Sequence, residues 1–232
     1  MWNAHESGVE INLKELARRL SSMRFARTVW SIFEVWKWRV KGNFVPPPRR
    51  VKQKIVKKYA KQFNLKILIE TGTYLGDMVS ATQQFFNEIY SIELCDSLYE
   101  RAKKRFSKFP HIHIVHGDSG KVLPNLLSSI QQHCLFWLDA HYSGGITAKS
   151  NRETLIVEEL RCILNHPILD HVILIDDARC FIGQNGYPSI DELRELISKN
   201  RPGWIVEVKC DIIRIHQPLQ RLESENARAV LF

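Results

Sequence analysis

Beyond Leu65 the chain alternates between short apolar runs and segments whose apolar residues recur every three or four positions. Runs at 66–70, 89–94, 112–116, 134–139 and 172–176 read as strands, being short, apolar and rich in β-branched residues. Helices are predicted from about Gly76, from about Ser97 and from about Ser119, then over "ETLIVEELRCIL" and "SIDELRELI". Two late runs, 204–209 and 212–216, are so closely spaced that they predict a hairpin. Seven strands alternating mainly with helices predict an α/β fold, a mostly parallel sheet covered on both faces.

The first part of the chain differs in pattern. Over 12–41, Leu16, Leu20, Met23, Val29, Trp30, Phe33 and Trp36 recur at helical spacing with arginines between them, which predicts a basic amphipathic helix. Pro46, Pro47 and Pro48 cannot continue it, and a second helix is expected over about 51–63. The expected organisation is a helical extension over 1–48, an α/β domain over 49–217 and a polar tail over 218–232.

Charge follows the same division. The formal net charge is +8, yet residues 1–65 hold fifteen Lys/Arg against four Asp/Glu, and the remainder eighteen against twenty-one. The basic excess therefore belongs to the N-terminal arm, which is read as a packed lid or dimer element, a contact to an anionic membrane or acidic protein, or, least favoured, a nucleic-acid contact. An acidic body would repel phosphates. Five cysteines without a CxxC pair predict reduced, mostly buried thiols in a cytoplasmic protein. The Trp-rich stretch at 28–40 is too short and too charged to span a bilayer.

In a doubly wound sheet, ligands bind outside the carboxyl ends of the strands. The first five strands present Glu70-Thr71-Gly72, Glu93, Gly117-Asp118-Ser119, Asp139-Ala140-His141 and Asp176-Asp177 at those ends. Solvated acids would scatter along both edges, so five successive strand-end carboxylates point to a site. Gly72 allows a tight turn, Gly76 lets a helix start close to a ligand, and Glu93 stands 23 residues beyond Glu70, where an acid can accept from ribose hydroxyls. The turn lacks the close-spaced G-x-G-x-x-G that cradles a pyrophosphate, which disfavours a nicotinamide cofactor. Asp139, Asp176 and Asp177 form a second, all-oxygen group that would suit Mg²⁺. His141 is a candidate base, with Tyr142 and 143–145 shaping a substrate loop. His111, His113 and His116 alternate on the third strand and read as structural.

Over roughly 65–217, these residues resemble the class I S-adenosylmethionine-dependent methyltransferases, whose first motif Glu70-x-Gly72-x-x-x-Gly76 fits. Tyr74 stands where the common pattern has a glycine, as in the metal-dependent macrocin-type sugar O-methyltransferases. The resemblance implies a Rossmann-like fold that binds S-adenosylmethionine through Glu70, Gly72, Tyr74, Gly76, Glu93, Asp118, Ser119 and Asp139. It further implies a divalent cation on Asp139, Asp176 and Asp177, and catalysis by His141 with Asp139. The expected activity is O-methylation of a small hydroxylated acceptor, a sugar being one example, and a homo-oligomer is compatible with it. "DAHY" replaces the Asn-Pro-Pro-aromatic tetrad of amino-methyltransferases after the fourth strand. Two alternatives stay open: a non-catalytic scaffold with this fold, and methylation of a macromolecule.

Overall fold

The computed structural model describes residues 29–42, 44–139 and 155–219, and the chain divides into two compact units, 1–44 and 45–232. In the first unit, α1 is helical over 29–40. Trp30, Phe33 and Trp36 make consecutive ring contacts along it, and the Trp38 indole N–H donates to the Phe44 carbonyl at 2.6 Å. The part of the expected long helix before residue 29 lies outside the described residues. Among the described residues, no helix is long and apolar enough to cross a membrane.

The second unit is the predicted α/β body. Its elements run α2 (Arg49–Gln62), β1 (Ile67–Thr71), α3 (Asp77–Thr82), β2 (Glu88–Glu93), α4 (Asp96–Phe106), β3 (Ile112–His116), α5 (Ser119–Ser128), β4 (Cys134–Leu138), α6 (Ile156–Leu164), β5 (Val172–Ile175), a short 3₁₀ turn, α7 (Ile190–Asn200), β6 (Ile205–Lys209) and β7 (Ile212–His216). The sheet order is β3-β2-β1-β4-β5-β7-β6, parallel except for β7, which is antiparallel to both β5 and β6. It is a Rossmann-like fold, as the sequence predicts.

Strand alternation divides the core. Ile67, Ile69, Phe136, Leu138 and Ile173 pack on the α5–α6–α7 face, while Leu68, Leu135, Trp137 and Leu174 pack on the α2–α3–α4 face. The central strands β1, β4 and β5 are buried along their whole length, so neither face carries solvated side chains. The hairpin closes through Cys210 and Asp211, both at positive φ (53° and 58°), the backbone that matches the twist of paired strands. Asn-Gly is the usual sequence for such a turn, and the hairpin is legible from strand spacing alone.

The thiols depart from expectation. Cys134 is buried, but Cys95, Cys162, Cys180 and Cys210 are only partly so, because they sit at strand ends, turns or helix flanks. None of the five is in a disulfide.

Parallel pairing places the switch point between β1 and β4, where successive crossovers run in opposite directions along the sheet. Thr71 lies opposite Leu138, and Leu138 opposite Ile175. The residues that follow are tied in the same register: the Asp139 amide donates to the Thr71 carbonyl at 3.1 Å, and the Asp176 amide to the Leu138 carbonyl at 3.0 Å. Three strand ends therefore stop at one level and open one crevice.

Candidate functional site

A cleft of about 260 Å³ opens at this switch point. Its wall joins the first-strand turn (Glu70, Gly72, Thr73, Tyr74) to the carboxylates Asp139, Asp176 and Asp177 and to Lys52 of α2. Trp137 lies beneath and Pro46 at the rim.

The turn after β1 is held by backbone bonds. The amides of Gly72 and Thr73 both donate to the Ile92 carbonyl, at 2.9 and 3.2 Å. Gly72 (φ 87°), Tyr74 (φ 49°) and Gly76 (φ 73°) all lie in the left-handed region. At Gly76 a side chain is also blocked by space, since a Cβ would come within 2.6 Å of the Phe106 ring. Tyr74 adopts a backbone that favours glycine, which is the residue the common motif has there. Its ring faces the Arg49 guanidinium at 6.0 Å, and its amide donates to Glu93 Oε2 at 2.7 Å.

Glu93 is buried at the end of β2. Its second oxygen, Oε1, accepts from the Cys95 amide at 2.9 Å. It thus clamps the Tyr74 turn to the second strand, while each oxygen retains a further lone pair for a ribose hydroxyl. Glu70 is 2% exposed, and its Oε2 accepts from Ser91 Oγ, which lies 2.7 Å from Thr73 Oγ1. Burial, only partly opposed by the Ser91 bond, pushes the Glu70 carboxyl up to about 8. Asp118 caps α5 by accepting from the Gly120 amide at 3.0 Å. Ser119 is buried and donates to Glu159 Oε1 at 2.5 Å, so the residue expected beside an adenine is engaged with α6. Burial pushes Glu159 up to about 7.

At the other end of the cleft, the sequence foresaw the acids and missed the bases. Asp176 Oδ1 accepts from the Asp177 amide at 2.9 Å, and its Oδ2 accepts from the Lys52 ammonium. Lys52 Nζ is also 3.7 Å from Asp177 Oδ1. The Arg179 guanidinium donates to the same Asp177 Oδ1 at 2.7 Å and to Asp211 Oδ2. Asp211 is further tied in, accepting from the Arg179 amide at 2.9 Å. Burial alone would lower the Lys52 pKa, but Asp176, then Asp139 and Asp177, outweigh it and hold the ammonium above the ordinary lysine value. Asp176 is itself pushed up by burial, against the pull of Lys52.

The expected magnesium set does not form. Among the described residues, no three His, Cys, Asp or Glu side chains converge to hold a metal ion. Asp176 has both oxygens occupied by protein donors, and Asp177 Oδ1 faces two cationic side chains. The Lys52 ammonium and the Arg179 guanidinium already stand against these oxygens and would repel a divalent ion, so the group as it stands does not fit one. His141, Tyr142 and 143–145 lie outside the described residues. The β3 histidines make local contacts, for example His113 Nε2 with Glu88 Oε2 at 2.6 Å, as expected for an edge strand.

Lys52 and Glu159 each carried a sequence signal. Lys52 falls on the helical stripe of buried Val56 and Tyr59, and Glu159 on that of Ile156 and Ile163. A charge on a buried stripe needs a partner, and here the partners are Asp176 and Ser119. Arg179 and Asp211 carried no comparable signal, being a turn residue and a hairpin residue.

No family model and no curated protein sequence matches the chain. Solved structures do share its fold. The O-methyltransferase TomG from Streptomyces achromogenes, involved in tomaymycin synthesis and in complex with SAM, superposes with a TM-score of 0.53 at 14% identity, covering 81% of this chain and 89% of its own. An O-methyltransferase from Bacillus cereus in complex with SAH gives 0.54 at 12% identity, covering 81% and 90%. The SAH-bound Podospora anserina methyltransferase PaMTH1 gives 0.52 at 17% identity, covering 91% and 99%. At these identities the likeness is one of fold.

Proposed function

We propose that the chain is an S-adenosylmethionine-dependent methyltransferase that acts on an oxygen of a small hydroxylated acceptor, a sugar hydroxyl being one such group. One observation carries this reading: a single cleft at the switch point joins a left-handed glycine turn and the buried Glu70 to a group of charged side chains, with Glu93 bound to the Tyr74 amide of that turn. The fold likeness to structures titled O-methyltransferases supports it.

On this reading Glu70 faces the methionine end of the cofactor and Glu93 the ribose. Asp118 and Ser119 flank the adenine. When bound, the cofactor supplies an electrophilic methyl on a sulfonium, and the chain supplies alignment. Fixing nucleophile, methyl and leaving group in line removes much of the entropic barrier. The assigned base is His141, two residues beyond Asp139, whose backbone is fixed to β1. No step is assigned to a divalent cation, because Lys52 and Arg179 already place positive charge against Asp176 and Asp177.

The test is titration with S-adenosylhomocysteine of wild type and Glu93→Ala. The variant loses the ribose acceptor and the clamp on the Tyr74 amide, so its affinity is expected to fall by more than about tenfold, roughly 1.4 kcal/mol. Equal affinity in the two proteins would remove Glu93 from the cofactor site.

A further inference from the structure

The acceptor end of the cleft carries more negative than positive side chains, yet an ammonium already stands against its most buried carboxylate. Asp176 is 3% exposed, and its two oxygens receive one backbone N–H and one ammonium. That ammonium comes from α2, 124 residues away in sequence, so it is brought there by the fold and not by a local turn. Its side chain keeps 18% of its surface and the Asp176 side chain 1%, and both line the cleft. The cation is therefore the more exposed of the two.

We infer that Lys52 is the resident cation of this site, standing where the carboxylates would otherwise need a divalent ion and presenting an N–H to the acceptor oxygen. The inference rests on the methyltransferase reading for the word acceptor and on geometry alone for the cation. An ammonium has three donors and no lone pair. One proton lies on Asp176, and Asp177 Oδ1 at 3.7 Å is in ion-pair range but too far for a hydrogen bond. Donor capacity is left for an oxygen in the cleft. Being held cationic, Lys52 acts as a donor and not as the base. It stabilises the negative charge that builds on a hydroxyl as the proton leaves, which is one service a metal ion performs in such chemistry. Arg179, which also lines the cleft, completes the charge balance through the same Asp177 oxygen and is held in turn by Asp211. A surface lysine paired with a surface acid would carry no such meaning, but this pair is inside the cleft and its acid is buried.

The test uses the full chain and Mn²⁺, with binding read by electron paramagnetic resonance and folding by circular dichroism. Wild type is expected to bind Mn²⁺ only weakly, in the millimolar range. Lys52→Met and Lys52→Gln, which uncover the carboxylates, are expected to bind it at least about tenfold more tightly. Adding Asp176→Asn to either variant is expected to abolish the gain. Micromolar Mn²⁺ binding by wild type that Asp176→Asn removes would overturn the inference. Folded Lys52 variants with no gain would overturn it too, since Lys52 would then not be the ion that excludes the metal. Should neither variant fold, the wild-type titration decides by itself. S-adenosylhomocysteine binding is measured separately. Its failure would sink the methyltransferase reading and leave the Mn²⁺ comparison interpretable.

Discussion

Glu70, at the turn end of the cleft, carries a carboxyl that burial shifts strongly. Its folded pKa of about 8 lies above the ordinary value of 4.5, because burial penalises the carboxylate. Between those two values the folded chain keeps a proton that the unfolded chain has released, so stability falls as pH rises through that window and is flat above it. Glu159, raised to about 7, adds a loss of the same sign over a narrower window. Thermal melts of Glu70→Gln should therefore fall less from pH 5 to 8 than those of wild type, while buried His171, lowered to about 3, adds a slope of opposite sign to both proteins below about pH 6.5. Equal pH slopes in the two proteins would contradict the assignment. The same carboxyl links binding to protons. An amino acid ammonium beside Glu70 favours the carboxylate, so S-adenosylhomocysteine binding near pH 7 should release protons. Titrations in buffers of different ionisation enthalpy would read this as a buffer-dependent heat, and no dependence would place Glu70 away from the ligand's charge. Gly76 makes a purely steric prediction. Its φ of 73° opposes a side chain, and so does the Phe106 ring, which would stand 2.6 Å from an added Cβ. Gly76→Ala should cost about 1–3 kcal/mol in urea unfolding, and a neutral result would mean that the turn relaxes freely.

At the scale of elements, the loop after β5 depends on a hairpin distant in sequence. The Ala178 amide donates to the Asp211 carbonyl at 2.9 Å, while the Asp211 carboxylate receives the amide and guanidinium of Arg179. Asp211 also supplies one of the two left-handed residues of the β6–β7 turn. Asp211→Ala should therefore lose about 1.5–3 kcal/mol, the range for bonds to a charged group. It should also loosen Arg179, which hydrogen exchange at 177–181 would report. Unchanged protection there would show that the hairpin does not support the loop. Strand ends were the legible part of this region, because an acid that closes an apolar run is visible without coordinates. Asp139 and Asp176 stand at one level as expected, fixed by amides that donate to the neighbouring strand. What the sequence hid was the counter-charge. Lys52 sits in a helix with four further lysines, Lys54, Lys57, Lys58 and Lys61, and only its register with Val56 and Tyr59 sets it apart. Arg179 and Asp211 meet through tertiary pairing of β5 with β7, a contact no local pattern encodes.

For the whole molecule, the body from Val45 onward holds every described residue that lines the cleft, beginning at Pro46. Removing residues 1–44 should thus leave S-adenosylhomocysteine affinity within about threefold, under about 1 kcal/mol. A larger loss would mean that the basic arm contributes to the site. The fold class was readable from alternation because a parallel sheet buried on both faces forces apolar strands and amphipathic helices into a repeating order. The metal expectation failed for a physical reason of the same generality. Three acids at neighbouring strand ends require positive charge, and a sequence does not say whether an ion or a side chain supplies it. The most direct measurement of the central claim is calorimetric titration of the purified chain with S-adenosylhomocysteine, beside Glu93→Ala. Micromolar binding by wild type that the variant loses is the result predicted here. An absence of binding by the folded wild-type chain would contradict it and leave a methyltransferase-like fold without its cofactor.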